Sequence, residues 1–121
     1  MSRDYRPFLD DIRRSCEKVF RYTAGFTLQQ FMADEKTFDA VLRNLTIIGE
    51  AVKQLPLDFR EQYPDVEWRK IARFRDIAIH HYFAVDEQIV WDIVQNKIPE
   101  LLGQLQRIPH RDLPSGGPGG L

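Results

Sequence analysis

Apolar side chains recur at steps of three and four residues through most of this chain, and no segment shows the alternation typical of a strand. The first helix is predicted over residues 4–22 and ends near Gly25. The second begins at Asp34 as N-cap, and Pro56 closes it. A single turn is predicted over residues 57–62. The buried stripe predicted for the first helix comprises Phe8, Ile12, Ser15, Cys16, Val19 and Phe20.

A third helix is predicted over residues 67–81, and a fourth runs from the N-cap Asp86 to Leu105. Pro99 should kink or split the fourth, because proline has no amide hydrogen. A glycine inside a helix costs up to about 1 kcal/mol relative to alanine, so Gly49 predicts a close approach of another helix. The inward residues predicted are Trp68, Ile71, Phe74 and Ala78 in the third helix and Ile89, Val90, Ile93, Ile98, Leu101, Leu102 and Leu105 in the fourth.

These helices predict an all-α fold, an antiparallel bundle of about four helices in one domain over residues 1–108. Residues 109–121 are rich in proline and glycine and carry little to bury, so we expect a disordered tail. Eight Phe, four Tyr and two Trp are more than a bundle of this size buries alone. A homodimer that shares apolar helix faces is therefore expected.

The net charge of −1 argues against a protein that binds long duplex nucleic acid through many phosphates. The single cysteine, Cys16, excludes an intramolecular disulfide, suits a reducing cytoplasm and is expected in the core. No signal peptide or membrane span is predicted, since the apolar runs are shorter than the roughly 20 residues that a span needs. The three histidines show no metal-binding spacing, and neither a metal nor another cofactor is expected.

Residues 75–82 place an arginine, an aspartate, two histidines and a tyrosine within eight positions. A guanidinium binds phosphate with two parallel hydrogen bonds, and an imidazole exchanges a proton near neutral pH. On an ideal helix Arg75 and Tyr82 point almost the same way, whereas Arg75 and His80 diverge by roughly 140°. The two groups would meet at one phosphate if the helix loosened near His80, or if two chains each supplied half of the site.

A structural explanation of the same residues stays open. Arg75 and Asp76 would then form surface ion pairs of small energetic value, and His80 would be a hydrogen-bonded interior histidine. Tyr82 would be an aromatic residue at the helix edge with its hydroxyl in water.

The spacing of Arg75, His80 and Tyr82 resembles the signature of the HepT toxins, within the HEPN superfamily of small helical ribonucleases. Three further blocks resemble the same family: residues 44–51 (Asn-Leu-Thr-Ile-Ile-Gly-Glu-Ala), the approach over 66–75, and the continuation over 82–91. The resemblance covers roughly residues 4–107. The family commonly has asparagine after the arginine, where this chain has Asp76.

The resemblance implies a metal-independent endoribonuclease that acts as a homodimer, with Arg75 and His80 as catalytic residues. His80 would deprotonate a ribose 2′-hydroxyl, and Arg75 would stabilise the transition state. Asp76 would hold His80 in the right tautomer. Arg69, Lys70 and Arg73, which we call the basic patch, are candidates for RNA backbone contact, although a plain exposed face explains them as well.

The resemblance also implies a toxin of a type VII-like toxin–antitoxin system, in which an MntA-like nucleotidyltransferase antitoxin transfers AMP to Tyr82. The added anion would exclude RNA by bulk and like charge. The alternative is a catalytically inactive helical dimer that only binds such a nucleotidyltransferase. Glu50 and Lys53 would line the groove beside the third helix or form a solvated pair.

Overall fold

The computed structural model describes residues 4–80 and 87–108, and the regular secondary structure of these residues is helical throughout. This confirms the all-α prediction. Two long helices, α1 and α3, pack along each other, and the remaining helices pack around this pair. The helices are α1 (Arg6–Thr23), α2 (Leu28–Ala33), α3 (Glu35–Gln54), α4 (Leu57–Gln62), α5 (Trp68–Ala72), α6 (Phe74–His80), α7 (Glu87–Asp92) and α8 (Ile98–Gln106), with a π-helical segment over Ile93–Lys97.

The helix boundaries in the first half of the chain follow local signals. Gly25, just past the end of α1, has φ +79°, a conformation that glycine adopts without strain. At the start of α2, Thr27 and Gln30 form a reciprocal capping box. Asp34 accepts a hydrogen bond of 3.0 Å from the amide of Thr37, which confirms it as the N-cap of α3.

The core lies between α1, α3, α5–α6 and α8, and the predicted stripe of α1 is buried at Ile12, Cys16 and Val19. Burial raises the pKa of the Cys16 thiol to about 12, as expected for a core cysteine. Phe20 was wrongly predicted to be buried and is 55% exposed, because it lies at the edge of the stripe, about 80° around the helix from Ile12. Ile89 in α7, also predicted to face inward, is 48% exposed.

The predicted third helix is two helices separated at Arg73. The amide of Arg73 donates to the carbonyl of Lys70, three residues back, which tightens the end of α5. Its own carbonyl accepts from the amide of Ile77 at 2.9 Å. The predicted inward residues Trp68, Ile71, Phe74 and Ala78 are all buried. The structure follows α6 as far as His80.

Pro99 was predicted to kink or split the last helix; it disrupts the regular α-helical pattern, but the α, π and α segments follow one another directly from Glu87 to Gln106. The amide of Ile98 donates to the carbonyl of Ile93, five residues back, so the helix widens into a π turn directly before the proline. This spacing accommodates a residue that has no amide hydrogen to donate. The predicted N-cap, Asp86, and the predicted tail over 109–121 lie outside the described residues.

Helix α3 approaches α5 and α6 very closely at Gly49. A Cβ atom built on Gly49 would lie 2.6 Å from the backbone nitrogen of Arg75 and 2.8 Å from the carbonyl oxygen of Ala72. Both neighbours are backbone atoms, which cannot turn away as the end of a flexible side chain can. The close helix approach predicted from Gly49 is therefore present, and it occurs at the motif.

Gly49→Ala should lower the free energy of unfolding by about 1–3 kcal/mol, because the added methyl group forces α3 away from α6. Chemical denaturation measures the change. Gly103→Ala in α8 is the matched control: its nearest neighbour would be 3.9 Å away, and alanine should raise stability by about 0.5–1 kcal/mol. Equal effects of the two substitutions would contradict a tight contact at Gly49.

Candidate functional site

Helix α6 carries three of the predicted site residues: Arg75, Asp76 and His80. The side chain of Arg75 is half-buried, with 37% exposed, whereas Asp76 and His80 are exposed. Phe74 and Ala78 fix the helix to the core from its buried side. The motif is thus presented on a short anchored helix.

Two further motif residues, His81 and Tyr82, lie outside the described residues. The prediction that Tyr82 is a modification site therefore stays a prediction.

Helix α3 holds the Arg75 side chain from the neighbouring element. The Nε atom of Arg75 donates a hydrogen bond of 2.9 Å to Oε1 of Glu50, one residue after the glycine of the close approach. Because Nε is occupied, the terminal nitrogens Nη1 and Nη2 form the edge of the guanidinium that remains for a ligand. The arrangement resembles a positioned anion receptor more than a freely moving surface arginine.

Asp76 faces Arg75. Its Oδ1 lies 3.6 Å from Nη1 of Arg75, which is an ion-pair distance and too long for a hydrogen bond. Within residues 4–80 and 87–108, no hydrogen bond or ion pair joins Asp76 to His80. Asp76 as a residue that orients His80 stays a prediction, and its observed electrostatic contact is with the guanidinium.

The basic patch borders two cavities. Arg69, Lys70 and Arg73 are exposed and line an open cavity of about 500 Å³ between α4 and α5. Lys70 and Arg73 also border a cavity of about 260 Å³ between α5–α6 and the α7–α8 segment. Arg75 and His80 line neither of these two cavities, so neither cavity joins the basic patch to the motif.

Glu67 partly neutralises the basic patch. Its carboxylate lies 2.9 Å from Nζ of Lys70 and 3.8 Å from Nζ of Lys97. The hydrogen bond from Lys70 holds the pKa of Glu67 below its usual value, with a smaller contribution from Lys97. Arg69 and Arg73 therefore carry more of the patch's net positive charge than Lys70 does.

Glu50 is the residue whose position sequence reasoning left undecided, between lining the groove and a solvated pair. Its contact with Arg75 joins residues 25 positions apart, which no local pattern predicts. The neighbouring Gly49 was the available signal, since a helix that approaches closely at one residue brings the next residue near the same partner.

The described residues contain neither a cluster of metal ligands nor a membrane-spanning helix. In residues 4–80 and 87–108, no cluster of three or more His, Cys, Asp or Glu side chains is placed to hold a metal ion. In the same part of the chain, no helix combines the length and the apolar character needed to cross a membrane.

Comparison with known proteins gives consistent matches over nearly the whole chain. A candidate RNase of Methanocaldococcus jannaschii is 45% identical over 106 residues, which cover 88% of each chain. A candidate ribonuclease HepT of Thermococcus cleftensis is 40% identical over 108 residues, covering 89% of this chain and 98% of the relative. A candidate RNase of Caldanaerobacter subterraneus is 40% identical over 107 residues, covering 88% and 96%. No solved structure gave a significant match.

The family described as "Ribonuclease HepT-like" matches residues 12–108, a range that includes α3 with Gly49 and Glu50 as well as the motif on α6. The resemblance inferred from the motif is confirmed at the level of the family. This chain belongs to the HepT-like family.

Proposed function

We propose that this protein is a metal-independent endoribonuclease and the toxin of a type VII-like toxin–antitoxin pair. The observation that carries the proposal is the guanidinium of Arg75, on the same helix as the exposed His80. Glu50 holds it at Nε, and within residues 4–80 and 87–108 its terminal nitrogens make no hydrogen bond, only the 3.6 Å ion-pair contact of Nη1 with Asp76. Relatives at 40–45% identity bear ribonuclease names, which supports the same activity.

The reaction uses the ribose of its own substrate as the nucleophile. His80 takes the proton of a 2′-hydroxyl, whose oxygen attacks the adjacent phosphorus as the bond to the 5′-oxygen breaks. Arg75 stabilises the negative charge that grows on the phosphate oxygens. A protonated histidine gives its proton to the departing 5′-oxygen. The products are a 2′,3′-cyclic phosphate and a free 5′-hydroxyl.

A homodimer completes this site. Helix α6 is α-helical through His80, so Arg75 and His80 leave it in directions about 140° apart, and one chain does not readily aim both at one linkage. Two chains related by a twofold axis supply an arginine from one side and a histidine from the other, and the second histidine serves as the acid.

Control by a partner acts through Tyr82. An MntA-like nucleotidyltransferase transfers AMP from ATP to the tyrosine hydroxyl, with release of pyrophosphate. Tyr82 follows His80 by two residues, so the added phosphate lies near the scissile position and repels RNA. The toxin is then inactive while it stays folded and dimeric.

Arg75→Ala and His80→Ala should each lower the rate of RNA cleavage by about 10²–10⁴-fold, because they remove the charge-stabilising group and the proton acceptor. Cleavage of a defined oligonucleotide measures this. A substrate with a 2′-deoxyribose at the cleaved linkage should be inert. Both variants should fold, since their side chains are exposed or half-buried, whereas Phe74→Ala, in the core beside them, should lose about 3–5 kcal/mol of stability.

Lys36→Ala, an exposed substitution at the opposite end of α3 from Glu50, is the activity control and should cleave normally. If the wild type, purified free of AMP modification, cuts no RNA, the enzyme proposal fails and the inactive binding partner of a nucleotidyltransferase becomes the better description.

Replacing Arg69 and Arg73 with alanine should weaken RNA binding similarly for all sequences. It should also reduce the slope of log K against log salt by about 1–2, because each arginine releases about one counterion from the phosphate backbone. Titration of a labelled RNA at several salt concentrations measures both effects. Arg14 and Arg21 on α1 are exposed as well, and their double alanine variant is the control. Equal slopes for the two double variants would show that the basic patch is an exposed face with no specific role in RNA binding.

Incubation with ATP and the nucleotidyltransferase should add one or more AMP units to the wild type, as measured by intact mass, and should abolish cleavage. Tyr82→Phe should take up no AMP and stay active in the same mixture, because it lacks the acceptor oxygen. Added mass that persists in Tyr82→Phe, or modification that leaves cleavage unchanged, would reject Tyr82 as the control point.

A further inference from the structure

The contact between Glu50 and Arg75 joins two helices that are far apart in sequence, and among the ion pairs of the described residues only Glu67 with Lys97 spans more of the chain. Most of the others link residues two to four positions apart, as Arg13 and Glu17 do on α1. Glu50 lies near the end of α3 and Arg75 near the start of α6. The hydrogen bond therefore fixes the arginine of the motif relative to the central helix of the core.

Close backbone packing beside this contact restricts the distance between α3 and α6. The glycine preceding Glu50 brings α3 so close that its missing Cβ would lie 2.9 Å from the Cβ of Arg75. Gly49 and Glu50 thus contact the same residue. The missing side chain of Gly49 leaves room for the backbone of Arg75, and Glu50 accepts a hydrogen bond from its guanidinium. Two independent observations, a close approach and a hydrogen bond, converge on Arg75.

We propose that Glu50 is a positioning residue for Arg75. It holds Nε through Oε1 and so directs the edge formed by Nη1 and Nη2 toward the phosphate that the reaction cleaves. The inference rests on the proposed ribonuclease function and adds to it a residue that α3 supplies to the site. The side chain of Glu50 contacts Arg75 and does not take part in proton transfer.

Glu50 has two opposite effects on phosphate binding: its oxygen positions Arg75, whereas its negative charge repels the phosphate. The carboxylates of Glu50 and Asp76 both lie beside the guanidinium, and their negative charge disfavours an approaching phosphate. What Glu50 contributes is therefore placement by an oxygen acceptor. Glutamine keeps that oxygen without the charge, so it separates placement from electrostatics. Since an ion pair this exposed adds little to stability, loss of the pair should leave the fold intact.

The test compares cleavage by Glu50→Ala and Glu50→Gln with that by the wild type. Glu50→Ala should lower kcat about 10- to 100-fold through a misplaced guanidinium, with an unchanged midpoint of thermal unfolding. Glu50→Gln should keep kcat near that of the wild type and lower KM, because a charge that repels phosphate is removed. Glu17→Ala, which breaks an ion pair of similar exposure on α1, should change neither constant.

A kcat of Glu50→Ala equal to that of the wild type would overturn the proposal. So would a Glu50→Gln variant as slow as Glu50→Ala, because the carboxylate itself would then be required, as for a general base. A loss of activity in Glu17→Ala as large as that in Glu50→Ala would also overturn it.

A second measurement does not depend on cleavage. The Nε proton of Arg75, assigned by its loss in Arg75→Lys, should exchange slowly with water in the wild type and in Glu50→Gln, and quickly in Glu50→Ala. If the wild type cuts no RNA but this pattern holds, the proposed function fails and the positioning contact stands. If exchange is fast in the wild type, the positioning proposal fails whatever the activity.

Discussion

The close approach of α3 to the α5–α6 segment at Gly49 is the contact on which the candidate site depends. Backbone meets backbone there, with no room for a Cβ atom between Gly49 and the amide of Arg75. Interiors packed at this density respond to changes of a single methyl group, so the distance between the helices is set by hard contacts. The side chain of the next residue, Glu50, consequently reaches Nε of Arg75 at hydrogen-bond length.

The interruption at Arg73 places Arg75, Asp76 and His80 on a separate short helix, α6. The tight turn at Arg73 ends α5 before the motif begins, and buried Phe74 and Ala78 then fix α6 independently. Arg69 and Lys70 of the basic patch precede this break and Arg73 lies at it, and all three border cavities that Arg75 and His80 do not line. A local site of this kind fits a chain with a net charge of −1.

Much of the fold follows from local patterns. The cap at Asp34, the stop at Gly25 and the disruption at Pro99 are short-range chemistry, and each occurs where the residues predict it. The prediction of one continuous third helix was wrong, because the apolar spacing of Ile71 and Phe74 continues across Arg73 although the backbone tightens there. The spacing of apolar residues indicates which side chains face the core. When a helix is interrupted but its two parts bury the same side, that spacing does not change, so it does not reveal the interruption. Phe20 and Ile89 show that the spacing also does not determine burial at the edge of an apolar face, since such a position is buried only if a neighbouring element covers it.

The sequence by itself determined the helical class, most residues of the core and the motif that identifies the family, since these depend on propensity, spacing and residue chemistry along the chain. Tertiary structure decided which carboxylates meet the guanidinium. Asp76, adjacent in sequence, lies 3.6 Å from it, whereas Glu50 accepts its hydrogen bond at 2.9 Å from another helix. The pairing of Glu50 with Arg75 depends on how closely two helices pack, and that distance is fixed by steric contact at Gly49.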